Sequence, residues 1–202
     1  MDFVQSFVLL MVAVSFHEFA HGWTANKLGD QTAKYSGRLT LNPLAHIDPF
    51  WTLLLPLMLF ITTGGQFVFG SAKPVPINYW ALKNPRRDIS LVGASGPLAN
   101  FILAIILSLL LKISGLPGYL SLILIRLVVI NLVLGVFNLI PIPPLDGSRI
   151  VMGILPPDMA SKYTRIEPYG FLILIVLMGL GLLNFIIWPF IELMLKILGI
   201  SS

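Results

Sequence analysis

Residues 3–21 read FVQSFVLLMVAVSFHEFAH. Phe3 to Phe16 carries no charge and runs directly into His17, Glu18 and His21. A charged residue at the centre of a membrane helix costs roughly 2.5–3.5 kcal/mol on insertion scales, so an ionisable cluster at membrane depth marks function. Residues four apart share a helix face. His17 and His21 can therefore hold one metal ion together. Glu18 lies beside them, placed to act on a water at that metal. HExxH on a helix is the pattern of zinc with a general base. The chain has only three histidines and three glutamates. Two of the former and one of the latter fall in this five-residue window, which argues against coincidence.

The composition supports membrane depth. Hydrophobic residues make up 56% of the 202, charged residues 11%, and the mean hydropathy is +0.90. Soluble domains carry about 25% charge. A water-soluble globule and a disordered chain are both excluded. The net charge is +4. Beside long apolar runs, that excess sets membrane orientation rather than binding nucleic acid. The absence of cysteine excludes disulfides, thiolate metal sites, Cys nucleophiles and iron–sulfur clusters. A signal-peptide reading of the first run is poor, because it starts with Asp2, has no basic residue and meets no small-x-small cleavage site.

A helix needs about 20 apolar residues to cross a core of about 30 Å. Ile89 to Leu111 and Pro168 to Ile191 are charge-free, and Tyr119 to Ile140 is apolar except for Arg126. Pro49 to Ala72 also lacks charge, but Pro56, Gly64, Gly65 and Gly70 interrupt it. The polar stretches Lys27–Asp48, Lys73–Asp88 and Pro156–Glu167 are too short to fold as domains. The expected fold is an all-α polytopic membrane protein forming one domain, 1–202. It has a core of three transmembrane helices, a re-entrant or interfacial segment over 49–72, and one or two hydrophobic helices over about 168–199. Ser36 to Asn42 alternates like a strand, so a small β-hairpin is expected there.

Catalytic zinc usually takes three protein ligands and leaves one position for water. The candidate third ligand is Asp146, in the stretch NLIPIPPLDG over Asn138–Gly147. Pro141, Pro143 and Pro144 cannot continue a regular helix, and irregular backbone at membrane depth is tolerated where it lines a cavity. The break presents Asp146 to an interior site, with Gly147 relaxing the backbone. A solvated loop aspartate fits the same residues equally well.

HEFAH on one membrane helix and NLIPIPPLDG on a later one resemble the site-2 protease family of intramembrane zinc metalloproteases. The family's central Gly-Pro helix has its counterpart in GASGPLAN, Gly93–Asn100. The resemblance spans about residues 3 to 150, the expected catalytic core, and fits the small prokaryotic type without a PDZ domain. It implies that His17, His21 and Asp146 bind one zinc ion per chain and that Glu18 is the catalytic base. It implies that Asn138 lies in the active site, holding the substrate backbone or the developing oxyanion. It further implies a transmembrane protein substrate that enters from the bilayer, and residence in the cell membrane of a prokaryote.

Convergence of these ligands constrains topology. If the first helix ends at the metal, its end and that of the Tyr119–Ile140 run share a side, and the Ile89–Leu111 run, in hairpin with the latter, starts on it. Lys83, Arg86 and Arg87 mark that side as cytoplasmic, with the site about 9 Å from the surface. Parity then leaves 49–72 no full crossing. His46 and Asp48 read as a capped turn rather than a second metal site. Gly96 reads as helix packing, Arg126 as snorkelling to the outer interface, and Asn184 and Pro189 as the break in the last hydrophobic region.

Overall fold

The computed structural model describes residues 3–62, 64, 70–113 and 115–200. Its elements are α1 (Phe3–Leu28), α2 (Thr32–Tyr35), α3 (Leu55–Thr62), α4 (Pro85–Leu110), α5 (Gly118–Asn138), α6 (Asp146–Ile154), α7 (Pro157–Thr164), α8 (Glu167–Gly179) and α9 (Leu182–Leu198). Three of these, α1, α4 and α5, are long and apolar enough to span a membrane, and the chain is an integral membrane protein.

α4 starts where the sequence punctuates it. Pro85 occupies the first turn, and the buried Asp88 carboxylate accepts the Asn84 N–H at 2.9 Å, satisfying one of the orphan donors of a helix start. α4 packs against α1, α5 and α6 and is the central post of the bundle. One core cluster joins Ala104 and Leu107 of α4 to Val128 and Leu132 of α5 and Ile191 of α9. The other face of α4, with Ile102, Ile105, Ile106 and Leu109, is exposed on the outside of the bundle.

Several expectations need correction. α1 does not end at the HEFAH motif but continues eleven residues beyond His17, to Leu28. Nothing in Gly22–Leu28 breaks a helix, and Ala25 is buried against Leu82 and Val92. Gly29, at φ 118°, takes the chain out of the helix. His17 therefore lies about 16 Å from the C-terminal end of α1. That end still meets the start of α4, because Lys83 N–H donates to Leu28 O at 3.0 Å.

Ser36–Asn42 forms turns and bends, and no strand occurs among the described residues. Two of its polar groups turn to local partners, the Ser36 hydroxyl donating to Ala33 O and Thr40 Oγ1 accepting from Asn42 N–H, while the Arg38 guanidinium reaches Lys73 O. Pro49–Thr62 is one wide π turn leading into α3. At about 21 Å it falls short of the bilayer core. Residues 63 and 65–69 of the interrupted stretch lie outside the described residues.

The last hydrophobic region is two helices, α8 and α9, bent by 77°. The break is not at Asn184 or Pro189, both inside α9. It falls at Gly181, whose φ of 70° suits a residue without a Cβ. The bend packs Leu174 and Leu183 against Ile140 and Leu145, over the linker that leads to Asp146.

Candidate metal centre

Three elements bring the predicted ligands together. α1 supplies His17 and His21 from one face. α5 ends at Asn138, the prolines carry the chain through turns, and Asp146 opens α6. His17 Nε2 lies 3.0 Å and His21 Nε2 3.2 Å from Asp146 Oδ2, and the two Nε2 atoms are 3.0 Å apart. A tetrahedral zinc about 2.0–2.1 Å from each donor would hold them about 3.3–3.4 Å apart. The triangle is therefore nearly of metal-binding size.

The hydrogen bonds behind the rings decide their tautomers. His21 Nδ1 is 2.7 Å from Val92 O, a group that can only accept. His21 therefore donates from Nδ1, and its neutral ring keeps a bare Nε2. His17 Nδ1 is 2.6 Å from Asn100 Oδ1. The orientation of that amide is itself forced. Asn100 Nδ2 donates to Ala13 O at 3.3 Å and to Asn131 Oδ1 at 2.8 Å. Asn131 Nδ2 in turn donates to Leu127 O at 2.8 Å. A run of donors and acceptors thus ends in a protonated His17 Nδ1 and a bare Nε2. With both rings neutral, two nitrogen lone pairs and a carboxylate oxygen point at one spot. Mutual repulsion there is relieved by a cation, and the N/N/O donor set suits zinc.

Glycines permit the approach. A Cβ on Gly96 of α4 would meet His21 Nε2 and lie 2.6 Å from His17 Nε2. Gly96 is thus more than a packing residue: it gives the ligand cluster its room. A Cβ on Gly93 would lie 2.8 Å from Arg149 Cβ and 3.0 Å from Asp146 O, so Gly93 lets α6 settle on α4. Gly147 does not relax the backbone as expected. Its bare face abuts the carbonyls of Leu139 and Ile140, closing the turn that delivers Asp146.

Glu18 is half-buried next to the cluster, and its Oε2 accepts the Val75 N–H at 2.7 Å. Asn138 uses one amide hydrogen on Leu134 O, at 3.0 Å. Burial pushes the Tyr79 phenol above its ordinary pKa. The positive Arg149 opposes that rise, and the charges of Asp146, Glu167 and Glu18 add to it. His46 donates to Thr40 O, and Asp48 Oδ1 accepts from Phe50 and Trp51 N–H. The capped turn therefore describes them, and His17, His21 and Asp146 are the metal-competent group among the described residues. Arg126 donates to Gln5 Oε1 of α1 at 3.0 Å.

Sequence reasoning missed the roles of Asn131 and Val75. Both left a signal: Asn131 is an amide in the middle of an apolar span, and Val75 carries the one N–H between two prolines.

A bundle of apolar helices enclosing a His–His–carboxylate cluster defines a membrane-embedded metalloenzyme. Residues 5–121 and 117–181 match peptidase family M50, the site-2 protease family, and the chain belongs to it. It is 40% identical over 195 residues to "Putative zinc metalloprotease YwhC" of Bacillus subtilis (strain 168), covering 90% of this chain and 83% of that protein. It is 31% identical over 190 residues to "Putative zinc metalloprotease Rip2" of Mycolicibacterium smegmatis, covering 91% and 71%. It is 30% identical over 185 residues to "Zinc metalloprotease MJ0392" of Methanocaldococcus jannaschii, covering 88% and 43%. No solved structure matches. The chain is a zinc metalloprotease of the site-2 type.

Proposed function

We propose that this protease hydrolyses a peptide bond within or near a transmembrane segment of a membrane protein, with His17, His21 and Asp146 holding one zinc ion. The observation that carries the reading is the convergence of three lone-pair donors at membrane depth, with Glu18 on the same helix. Zinc, when bound, supplies Lewis acidity, lowering the pKa of a water to about 7 and drawing charge from a carbonyl. Glu18 takes the water's proton as the oxygen bonds to the carbonyl carbon. It then returns that proton to the amide nitrogen as the C–N bond breaks. Asn138 has a second amide hydrogen, which we assign to the substrate backbone or the developing oxyanion. The substrate must unwind locally, since helical carbonyls are bonded within their own helix.

Localisation follows the charges. Lys27 and Lys34 follow the motif on α1 and α2, and Lys83, Arg86 and Arg87 introduce α4. The bond between Leu28 and Lys83 puts both groups at one end of the bundle. We assign that end to the cytoplasm of a prokaryotic cell and the membrane to the plasma membrane. The site then lies about 16 Å inward along α1.

The test compares wild type with Glu18→Gln, using zinc analysis and cleavage of a quenched fluorogenic peptide that carries an apolar transmembrane segment. Glu18→Gln should keep about one zinc per chain, as a three-ligand site requires, and lose cleavage. Loss of zinc together with activity would make Glu18 structural and sink the assignment.

A further inference from the structure

The stretch Lys73-Pro74-Val75-Pro76 lies against the catalytic motif, and its hydrogen bonds are directed inward. Lys73 N–H donates to His46 O at 2.9 Å. Val75 N–H donates to Glu18 Oε2, and Asn78 N–H to Asp30 Oδ2, both at 2.7 Å. Pro74 and Pro76 have no N–H to give. The Arg38 guanidinium donates from Nη2 to Lys73 O at 2.7 Å and to Pro74 O at 3.4 Å. The Val75 side chain is buried, seated over Gly22 of α1 together with Ala33 and Leu39. The segment therefore has few groups with which to pair a substrate strand. It is held on both sides, and its one central donor is aimed at a carboxylate.

We infer that Pro74-Val75-Pro76 is a brace that holds the Glu18 carboxylate in its working rotamer, and that Arg38 is the positioning residue that holds the brace. A carboxylate has about four acceptor positions on two oxygens. The Val75 N–H occupies one of them on Oε2, which leaves Oε1 for the water. The flanking prolines set the backbone on either side, so the donor stays fixed at little entropic cost. Arg38 anchors two successive carbonyls through one guanidinium nitrogen, and neither bond goes to a metal ligand. The inference rests on Glu18 acting as the base.

The same prolines make the test clean. Val75 carries the only backbone N–H between residues 74 and 76, and hydrogen exchange followed by NMR on protein labelled with 15N-valine reads that amide apart from Lys73, Ile77 and Asn78. In detergent-solubilised wild type it should be protected. Glu18→Ala and Arg38→Ala should each speed its exchange by about tenfold or more, as loss of a local bond allows. Exchange at the rate of a free peptide in wild type overturns the brace, whatever the variants do.

Kinetics on the same fluorogenic peptide supply the second readout. Supporting residues of this kind are worth about 10–100-fold. Arg38→Ala should therefore keep its zinc and KM while kcat falls by about that factor. Arg38→Lys, which retains one donor, should recover part of the loss. A raised KM at unchanged kcat would make the segment a substrate contact instead. Should Glu18→Gln remain active while Val75 stays protected, the base assignment fails and the brace has no catalytic purpose. Should Glu18→Gln be inactive while Arg38→Ala is unaffected, the base stands and the brace is overturned.

Discussion

Gly96 shows how much can depend on an absent side chain. Its Cβ would stand 2.6 Å from His17 Cε1 and Nε2, well inside van der Waals contact. Gly96→Ala should therefore displace an imidazole and reduce zinc from about one per chain, the wild-type three-ligand complement, to a small fraction. Helix content by circular dichroism should be unchanged, since alanine is the best helix former. Asn100 works at the same scale through hydrogen bonding. With Asn100→Ala, His17 Nδ1–H loses its acceptor and zinc affinity should fall by about 10–100-fold, read by competition with a metal-binding dye. Asn131→Leu removes the next link and leaves one Asn100 N–H buried and unmet. A stability loss of about 1–3 kcal/mol is expected in denaturant unfolding, with a smaller effect on zinc.

At the scale of elements, the site depends on how α6 lies on α4. Ser90 donates to Ile150 O at 2.9 Å, Arg86 donates to Leu155 O at 2.7 Å, and Gly93 admits the backbone at Asp146. Gly93→Val should push α6 away and weaken zinc binding although no ligand changes, which a zinc titration would detect. The Arg149–Glu167 pair, at 2.7 Å, ties α6 to α8 but is partly exposed, at 23% and 38%. Exposed pairs contribute less than about 1 kcal/mol. Glu167→Gln should thus leave the melting temperature nearly unchanged, and a large drop would show that α8 holds the site in place.

For the whole molecule, the prediction concerns orientation. The natural chain has no cysteine, so single-cysteine probes need no prior substitution. Lys34→Cys and Arg87→Cys should both react with a membrane-impermeant maleimide from the cytoplasmic face alone. Labelling from opposite faces would break the hairpin of α1 against α4 and the shared depth of their contributions to the site.

The sequence by itself determined the membrane class, from composition, and the chemistry, from HEFAH and NLIPIPPLDG. It also determined the break before Asp146, because three prolines in four residues cannot continue a helix. These are local properties, carried by residue type and short spacing. The sequence also allowed α1 to run on past the motif, since nothing breaks the helix before Gly29; tertiary structure added the packing of Ala25 that holds this extension. It decided that 36–42 is no strand, because an alternating pattern needs a partner edge and none is offered among the described residues. It decided that Gly96 faces the ligands and that Val75 meets Glu18 across 57 residues of chain. Asp146 shows both sides. Its residue type made it a candidate, but a solvated loop remained an equal reading until α1, α4 and α6 brought its carboxylate within 3.2 Å of both imidazoles. Donor chemistry is written in side chains, whereas convergence depends on which helices pack, and close packing is set by long-range shape that no short window of sequence contains.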